Sequence, residues 1–208
     1  MAFTYFFRDR QSLDLIVEHA VPWVRGRSRV GVWDAGCAMG QEPYSLAILL
    51  AEAMGPFAFK NLRILATDLD GSQRFGAVIE SGLYPEDQIQ RISGELLAKY
   101  FERASKPGHY QVVESIRRRV QYRRHDLRGL EPVGEGFCIV VCKNVLLHLH
   151  PLEQLEAVRM FHHALAPGGF FCTEQTQALP AEMEPLFERV AGHARLYRKP
   201  EKAAGTSS

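Results

Sequence analysis

The stretch Val32-Trp-Asp-Ala-Gly-Cys-Ala-Met-Gly-Gln-Glu-Pro-Tyr-Ser45 decides the fold of this chain. Its apolar start predicts a strand, and a helix is predicted to begin near Pro43, so Gly36 and Gly40 fall in the turn between them. Glycines there let the backbone approach a ligand, and the free N–H groups at the helix start face the same space. The stretch therefore predicts a cofactor-binding turn. Turns of this kind also bind NAD or FAD, or are tight turns without a ligand.

Apolar runs alternate with helical segments along the rest of the chain. Strands are predicted at residues 29–33, 62–67, 120–123, 137–142 and 169–173. Helices are predicted at residues 9–23, 43–54 and 152–165. This alternation predicts an α/β fold in which helices cover a mostly parallel sheet.

Residues 83–119 interrupt that alternation and are predicted to be an insertion within one domain of residues 1–198. A helix is predicted over residues 88–100. A β-hairpin is predicted from Tyr110–Val113 and Ile116–Tyr122, turning at Glu114-Ser115. The polar residues 199–208 are predicted to be a flexible tail.

Composition excludes several classes of protein. Hydrophobic residues make up 46% of the 208 residues and charged residues 24%, which is typical of a globular domain. A net charge of +1 gives no overall field to attract nucleic acid. No apolar run is long enough to span a membrane, and the first residues lack a signal-peptide pattern, so a cytoplasmic location is expected. The four cysteines have neither disulfide nor zinc spacing, and no metal site is predicted.

Polar residues follow the predicted strands at one edge of the sheet. They are Thr67-Asp68, His125-Asp126 and Lys143-Asn144. A carboxylate at that edge, such as Asp68, can accept hydrogen bonds from both ribose hydroxyls of a nucleoside cofactor. Single residues of these types are often turn formers, but their shared position favours a ligand site.

The turn itself favours a cationic cofactor. It carries Gln41-Glu42, and the chain has no Gly-x-x-x-x-Gly-Lys-Ser/Thr loop for phosphate. A carboxylate beside the turn suits a cation better than a pyrophosphate. S-adenosylmethionine (SAM), which carries a sulfonium and an ammonium and no phosphate, fits best, and its product would be S-adenosylhomocysteine (SAH).

These motifs together resemble the CheR family of chemotaxis receptor methyltransferases. The resemblance rests on Thr4-Tyr-Phe-Phe-Arg8, on Ala35 to Ser45, on Ala66-Thr-Asp68-Leu-Asp70 and on Cys142-Lys-Asn-Val-Leu146, and it extends from about Phe3 to Glu174. It implies a Rossmann-like SAM-dependent methyltransferase fold, with a mostly parallel seven-stranded sheet, helices on both faces and a small β-hairpin insertion.

The resemblance also implies which residues contact the cofactor. The implied set is Thr4, Arg8, Gly36, Gly40, Gln41, Glu42, Asp68, Asp126, Leu127, Asn144 and Val145. Gln41 stands where the family has an acidic residue, and Asp126 stands where it has an asparagine. Arg8 is expected to pair with the cofactor carboxylate.

The reaction implied by the resemblance is methyl esterification of glutamate side chains. A glutamate carboxylate is ionised at neutral pH, so the transfer requires positioning and no general base. The catalytic residue is unknown, with Arg27 and His148 as weak candidates. His148 stands where the family has an aromatic residue, and the helical domain that usually precedes the first motif in the family is not expected here, which leaves the acceptor open.

Arginines around the predicted hairpin suggest a protein partner. They are Arg117, Arg118, Arg119, Arg123 and Arg124. This cluster is predicted to dock an acidic helical protein, although a solvated, charge-protected strand edge is the alternative. Two other functions stay open: methylation of a small molecule, and a degenerate module that binds SAM or a partner without turnover.

Overall fold

The computed structural model describes residues 4–192 and 194–201. The strands, in chain order, are β1 (Val30–Ala35), β2 (Leu62–Asp68), β3 (Leu83–Pro85), β4 (Phe101–Arg103), β5 (His109–Val112), β6 (Val120–Arg124), β7 (Phe137–Cys142), β8 (Leu165–Thr173), β9 (Glu188–Arg189) and β10 (Leu196–Arg198). Seven of them form the central sheet in the order β6-β2-β1-β7-β8-β10-β9. The strands from β6 to β8 are parallel, and β10 is antiparallel to both of its neighbours. The predicted mostly parallel seven-stranded sheet is confirmed.

Helices cover both faces of this sheet, as predicted. They are α1 (Arg10–Val24), α2 (Gln41–Phe59), α3 (Phe75–Ser81), α4 (Glu86–Ile89), α5 (Gly94–Tyr100), α6 (Glu114–Arg117) and α7 (Pro151–Ala164). Side chains alternate along β1, so Val32 packs in the core that α1 and α2 cover. Trp33 points to the other face, where its ring centre lies 5.0 Å from that of Phe161 of α7. All of β7 after Phe137 is buried, which explains its unbroken apolar run.

The insertion contains a separate antiparallel sheet in the order β3-β5-β4. Its hairpin joins β4 to β5, so the predicted hairpin over residues 110–122 is wrong in position. Glu114–Arg117 forms α6, and the following strand β6 pairs in parallel with β2. This pairing places Val120 opposite Ile64 and buries it in the main core, which a hairpin with β5 would not do.

The helix predicted over residues 88–100 is also divided. It forms α4 and α5, and Ser93 caps α5 by accepting a hydrogen bond from the Leu96 N–H at 3.4 Å. In α2, Gly55 adopts a φ of 75° and interrupts the regular helix where the Gly-Pro signal predicts its end.

The C-terminal segment is described as far as Glu201. The Lys199 amine donates hydrogen bonds to the carbonyls of His162 and Leu165, at 2.7 and 2.9 Å. Residues 202–208, which make up most of the predicted flexible tail, lie outside the described residues.

Candidate functional site

A cleft of about 410 Å³ opens at the carboxyl ends of β1, β2 and β7. It is lined by Thr4, Arg8, Gly36, Cys37, Ala38, Glu42, Asp68, Lys143, Asn144, Val145, Leu147 and His148. Most of the predicted cofactor-binding residues therefore meet in one place, because parallel strands deliver their carboxyl ends to the same edge of a sheet.

A second hollow of about 250 Å³ adjoins the cleft. It holds the predicted residues Asp126 and Leu127, and it shares four lining residues with the larger cleft: Gly36, Asp68, Val145 and His148. Leu127 and Leu149 give it apolar walls, which suit a flat aromatic ring better than a charged group. The two hollows together form an elongated groove whose halves differ in polarity.

Gly36 lines both hollows and packs closely against Val145. Its φ is 98°, and a Cβ at this position would lie 2.1 Å from the Cγ2 atom of Val145. The N–H groups of Gly36 and Cys37 both donate to the Thr67 carbonyl, at 2.7 and 3.0 Å, which fixes the loop to β2. Only glycine fits this position.

Asp68 connects the glycine loop to the end of β2. One carboxylate oxygen accepts the Ala38 N–H at 2.9 Å, and the other accepts the Asp70 N–H at 3.2 Å. An ionised carboxylate has about four acceptor positions, so Asp68 keeps capacity for ligand hydroxyls.

Asp70, by contrast, is buried, and its carboxylate accepts hydrogen bonds from within the protein. Burial alone would raise its pKa, but hydrogen bonds from the Arg74 N–H, the Ser72 hydroxyl and the Phe75 N–H hold that pKa below its usual value. Asp70 therefore fixes the start of α3.

Lys143 is a buried cation beside the cleft, with its side chain only 1% exposed. Its Nζ lies 3.0 Å from the Glu42 carboxylate and 3.5 Å from that of Asp9. Burial alone would lower the pKa of Lys143, but these two carboxylates raise it above its usual value. The cluster ties the end of β7 to the start of α2 and to the N-terminal segment.

Asp34 is a site residue that the sequence prediction missed. It is fully buried in β1, and neither of its carboxylate oxygens has a hydrogen-bond partner within the described part of the chain. Burial, and then the neighbouring charge of Glu42, raise the pKa of Asp34 well above its usual value. An acidic residue inside an otherwise apolar strand was the signal in the sequence.

Glu174, at the end of β8, was also missed. Its Oε2 accepts hydrogen bonds from the Asn144 N–H at 2.9 Å and from the Thr173 hydroxyl at 3.0 Å. Its Oε1 is buried without a partner among the residues described. Glu174 thus holds the backbone of Asn144, which has a φ of 58°, at the edge of the cleft.

Two predicted residues of the glycine turn do not line the cleft. A Cβ on Gly40 would lie 2.6 Å from Ile79 Cγ1 of α3 and 2.9 Å from the Tyr84 hydroxyl, so this glycine makes room for α3 and for the insertion. Gln41 is fully buried, and its amide donates to the side-chain oxygen of Gln88 at 3.0 Å. The Tyr84 hydroxyl donates to the Met39 carbonyl at 2.7 Å, so the insertion helps to hold the glycine turn in place.

The N-terminal segment is held over the cleft by specific contacts. The Phe7 N–H donates to the Ser45 hydroxyl at 2.8 Å. Phe6 is buried, with its ring 4.9 Å from that of Tyr84 and 5.2 Å from that of Phe101. These anchors place Thr4 and Arg8 on the cleft wall.

The two candidate catalytic residues lie at opposite ends of the sheet. His148 is exposed on the wall shared by the two hollows. Arg27 precedes β1, and its guanidinium lies 3.7 Å from the centre of the Trp23 ring. It does not line either hollow.

The predicted basic hairpin is not a structural unit. Arg119 is buried and donates to the Lys60 carbonyl at 2.8 Å, and Arg117 forms an ion pair with Glu114. The other three arginines of the cluster are exposed: Arg118, Arg123 and Arg124. Arg123 and Arg124 belong to β6, the first strand of the central sheet.

Two searches of the described residues bear on other kinds of site. None of the helices in residues 4–192 and 194–201 is long and apolar enough to cross a membrane. Within the same ranges, no three His, Cys, Asp or Glu side chains are grouped to hold a metal ion.

Comparison with known proteins identifies the family. The model of the CheR methyltransferase SAM-binding domain matches residues 2–195. A probable chemotaxis protein methyltransferase from Rhizobium etli is 26% identical over 98% of this chain and 76% of its own length. The chemotaxis protein methyltransferase of Listeria innocua is 32% identical over 79% of this chain, and the match covers 60% of the Listeria protein.

A solved structure shows the same fold. The N-methyltransferase NodS from Bradyrhizobium japonicum WM9, in complex with SAH, has a TM-score of 0.51 and 15% identity, covering 93% of this chain and 88% of that one. The expected Rossmann-like methyltransferase fold is thereby confirmed, and the family match confirms SAM as the cofactor. The chain belongs to the CheR methyltransferase family and carries its SAM-binding domain.

Proposed function

We propose that this domain transfers the methyl group of SAM to a glutamate side-chain carboxylate of a chemotaxis-type receptor, acting in the cytoplasm. The observation that carries the proposal is the cleft itself, whose lining joins the Asp68 carboxylate, the backbone at Gly36 and the exposed His148. The family match supplies the reaction class.

The charges of the site fit the cofactor. Glu42 and Asp68 place two carboxylates on the lining of the cleft. Such an arrangement stabilises a cation, and SAM supplies an electrophilic methyl group on a sulfonium. We assign Asp68 to the ribose hydroxyls and the hollow at Leu127 to the adenine ring. Arg8 is assigned to the cofactor carboxylate.

The cleft suits an acceptor that is already ionised. Glu42 is held in an ion pair with Lys143, and Asp68 accepts backbone N–H groups, so neither is placed as a free base. A glutamate acceptor, with a reference pKa of roughly 4.3, needs none. Holding the acceptor in line with the methyl group and excluding water can supply roughly 7–11 kcal/mol of the barrier reduction.

An acidic helical segment of the receptor is the partner that we propose. Of the arginine cluster, Arg118, Arg123 and Arg124 are exposed, and only these are available for docking. Arg124 donates to the Leu69 carbonyl at 2.9 Å, and Leu69 lines the smaller hollow. A segment bound along β6 would therefore lie close to the groove. Changing Arg118 and Arg123 together to Glu should raise the KM for the receptor severalfold and leave SAH affinity unchanged.

The direct test is transfer of radiolabelled methyl from SAM to a purified receptor cytoplasmic fragment. Methyl esters of carboxylates release methanol in mild alkali, whereas methyl groups on nitrogen do not. The proposal predicts alkali-labile label that depends on receptor glutamates and is abolished in Asp68→Asn. Alkali-stable label, or SAM binding without any transfer, would contradict it.

Exposed His148 favours one second candidate, methylation of a small molecule whose hydroxyl or amine must lose a proton. Among the titratable groups on the cleft wall, His148 is suited to accept that proton. The variant His148→Phe separates the two functions. Transfer to receptor carboxylates should persist in this variant, whereas base-dependent transfer to a small molecule should fall at least a hundredfold.

A further inference from the structure

A third hollow, larger than the two that form the cofactor groove, lies at the opposite end of the sheet from that groove. It has a volume of about 620 Å³ and is formed by residues at and near the amino ends of β1, β2 and β7 together with Gln121 of β6. We name it the basic hollow after Arg29, Lys60 and Arg63, which line it. Gly31 of β1, which lines it, and Gly36, which directly follows β1 and lines the cofactor cleft, are five residues apart, or about 16 Å at roughly 3.3 Å per residue.

The chain connection from β6 to β7 explains why this hollow is open. Residues 125–136 contain a single short 3₁₀ turn, Leu127–Gly129, and no α-helix. The outer face of β2 and β6 is therefore left without a covering helix near its amino end, and Arg63 and Gln121 are exposed there. Gly31 adds space because it has no side chain, and its nearest neighbour is Phe137.

The three cations of the basic hollow have no carboxylate partner within the described part of the chain. Arg63 donates only to the carbonyls of Lys60 and Leu62, at 3.1 and 2.7 Å, and the Lys60 amine lies 5.5 Å from the Phe57 ring. The one carboxylate on the lining, Glu135, lies 3.2 Å from His163. In a chain with a net charge of only +1, this is a local excess of positive charge.

The loop that closes one side of the basic hollow offers further donors. It runs Val133-Gly-Glu-Gly136. Within the ranges that the structure describes, none of these four backbone N–H groups donates a hydrogen bond. Unpaired backbone N–H groups in a glycine-containing loop are typical donors to phosphate oxygens.

We propose that the basic hollow binds a small phosphate-bearing molecule of nucleotide size. Three cations at one hollow favour a ligand that carries two or more negative charges. A volume of about 620 Å³ lies within the usual range for small-ligand pockets, and Phe137 provides an apolar wall. The site is separate from the cofactor cleft and does not depend on which acceptor the domain methylates.

Calorimetric titration with ADP and with pyrophosphate tests this proposal, with SAH present at saturation to block the cofactor cleft. Both probes should bind with micromolar affinity that weakens as the salt concentration rises. The double variant Arg29→Gln/Arg63→Gln should weaken both at least tenfold. Because both side chains are exposed, its melting temperature and SAH affinity should match those of the unaltered protein.

Arg103→Gln is the matched control, since Arg103 is exposed on β4 in the insertion and is also without a carboxylate partner among the described residues. It should leave the affinity for both probes unchanged. Three results would overturn the proposal: no binding of either probe at millimolar concentration, equal binding by the double variant, or tighter, arginine-dependent binding of a glutamate decapeptide. The last result would assign the basic hollow to an acidic protein.

Discussion

The two ends of β1 open into hollows that use charge in opposite ways. At the carboxyl end, Lys143 is buried against Glu42, and the buried Asp34 lies nearby without a hydrogen-bond partner among the described residues. At the amino end, Arg29 and Arg63 are exposed and have no carboxylate partner in residues 4–192 and 194–201.

We therefore expect substitutions at the two ends to differ in whether they change protein stability as well as ligand binding. Buried charges depend on one another, so a change at the carboxyl end should affect folding together with cofactor affinity. Exposed cations are already solvated, so a change at the amino end should affect only a bound ligand. Substitutions at matched positions test whether the two ends differ in this way.

The largest effect is expected from Lys143→Met. It leaves Glu42 and Asp9 without the buried cation that pairs with both, which should lower the free energy of unfolding by about 3–5 kcal/mol. Arg63→Met at the other end should change it by less than about 0.5 kcal/mol. Urea unfolding measures both, and equal effects of the two variants would remove the distinction between the ends.

Gly36→Ala and Gly31→Ala compare the position just after β1 with a position near its start. The new Cβ would lie 2.1 Å from Val145 Cγ2, at a φ of 98°. The variant should lose about 1–3 kcal/mol of stability and most of its SAH affinity. Gly31→Ala is the control, because its Cβ would meet Phe137 at an ordinary 3.5 Å. Unchanged SAH binding by Gly36→Ala would show that the backbone at this position does not approach the cofactor.

Asp34→Asn should stabilise the protein in a pH-dependent way. Its pKa is raised in the folded state, so folding binds a proton and wild-type stability falls as the pH rises above the unfolded value near 3.8. The variant lacks this loss. Its free energy of unfolding should therefore exceed that of the wild type by on the order of 1 kcal/mol at pH 7, and by little near pH 3.5. Thermal unfolding across this range measures the difference, and a constant offset at every pH would be inconsistent with a buried, protonated Asp34.

The smallest effect is expected from Tyr84→Phe in the insertion. The variant loses the hydrogen bond to the Met39 carbonyl, which should cost about 1 kcal/mol of stability. SAH affinity should fall severalfold because the glycine turn is less well held. Tyr110→Phe is a control on the same small sheet, and a loss of SAH affinity there as large as in Tyr84→Phe would show that the turn does not depend on this hydrogen bond.

Five strands of the central sheet could be predicted from the sequence because most of them are apolar runs that alternate with helical segments, whereas β9 and β10 have only two and three residues and were not predicted. The five predicted strands correspond to β1, β2, β6, β7 and β8. The insertion could not be predicted in the same way, since its strands have only three or four residues and β3 pairs with β5, which comes after α4, α5 and β4 in the chain. The polar pair Glu114-Ser115 starts a helix there and does not form a hairpin turn.

The site was predictable where strand ends alone decide position. Asp68, Asn144 and Val145 line the cleft for that reason. Gly40 and Gln41 face α3 and the insertion instead, and the sequence could not show this because it depends on the packing of residues such as Ile79 and Gln88. The glycine turn and its acidic neighbour already favoured SAM and the family resemblance supported it, whereas the unpartnered burial of Asp34 required the structure.

The central claim is that the cleft at the carboxyl end of the sheet binds SAM through Asp68. Calorimetric titration of SAH into the unaltered protein and into Asp68→Asn tests it most directly, because asparagine can still accept the Ala38 N–H that holds the loop. The account predicts micromolar binding that weakens at least tenfold in the variant, with a melting temperature lowered only slightly by the loss of the acceptor for the Asp70 N–H. Equal affinity of the two proteins for SAH would contradict it.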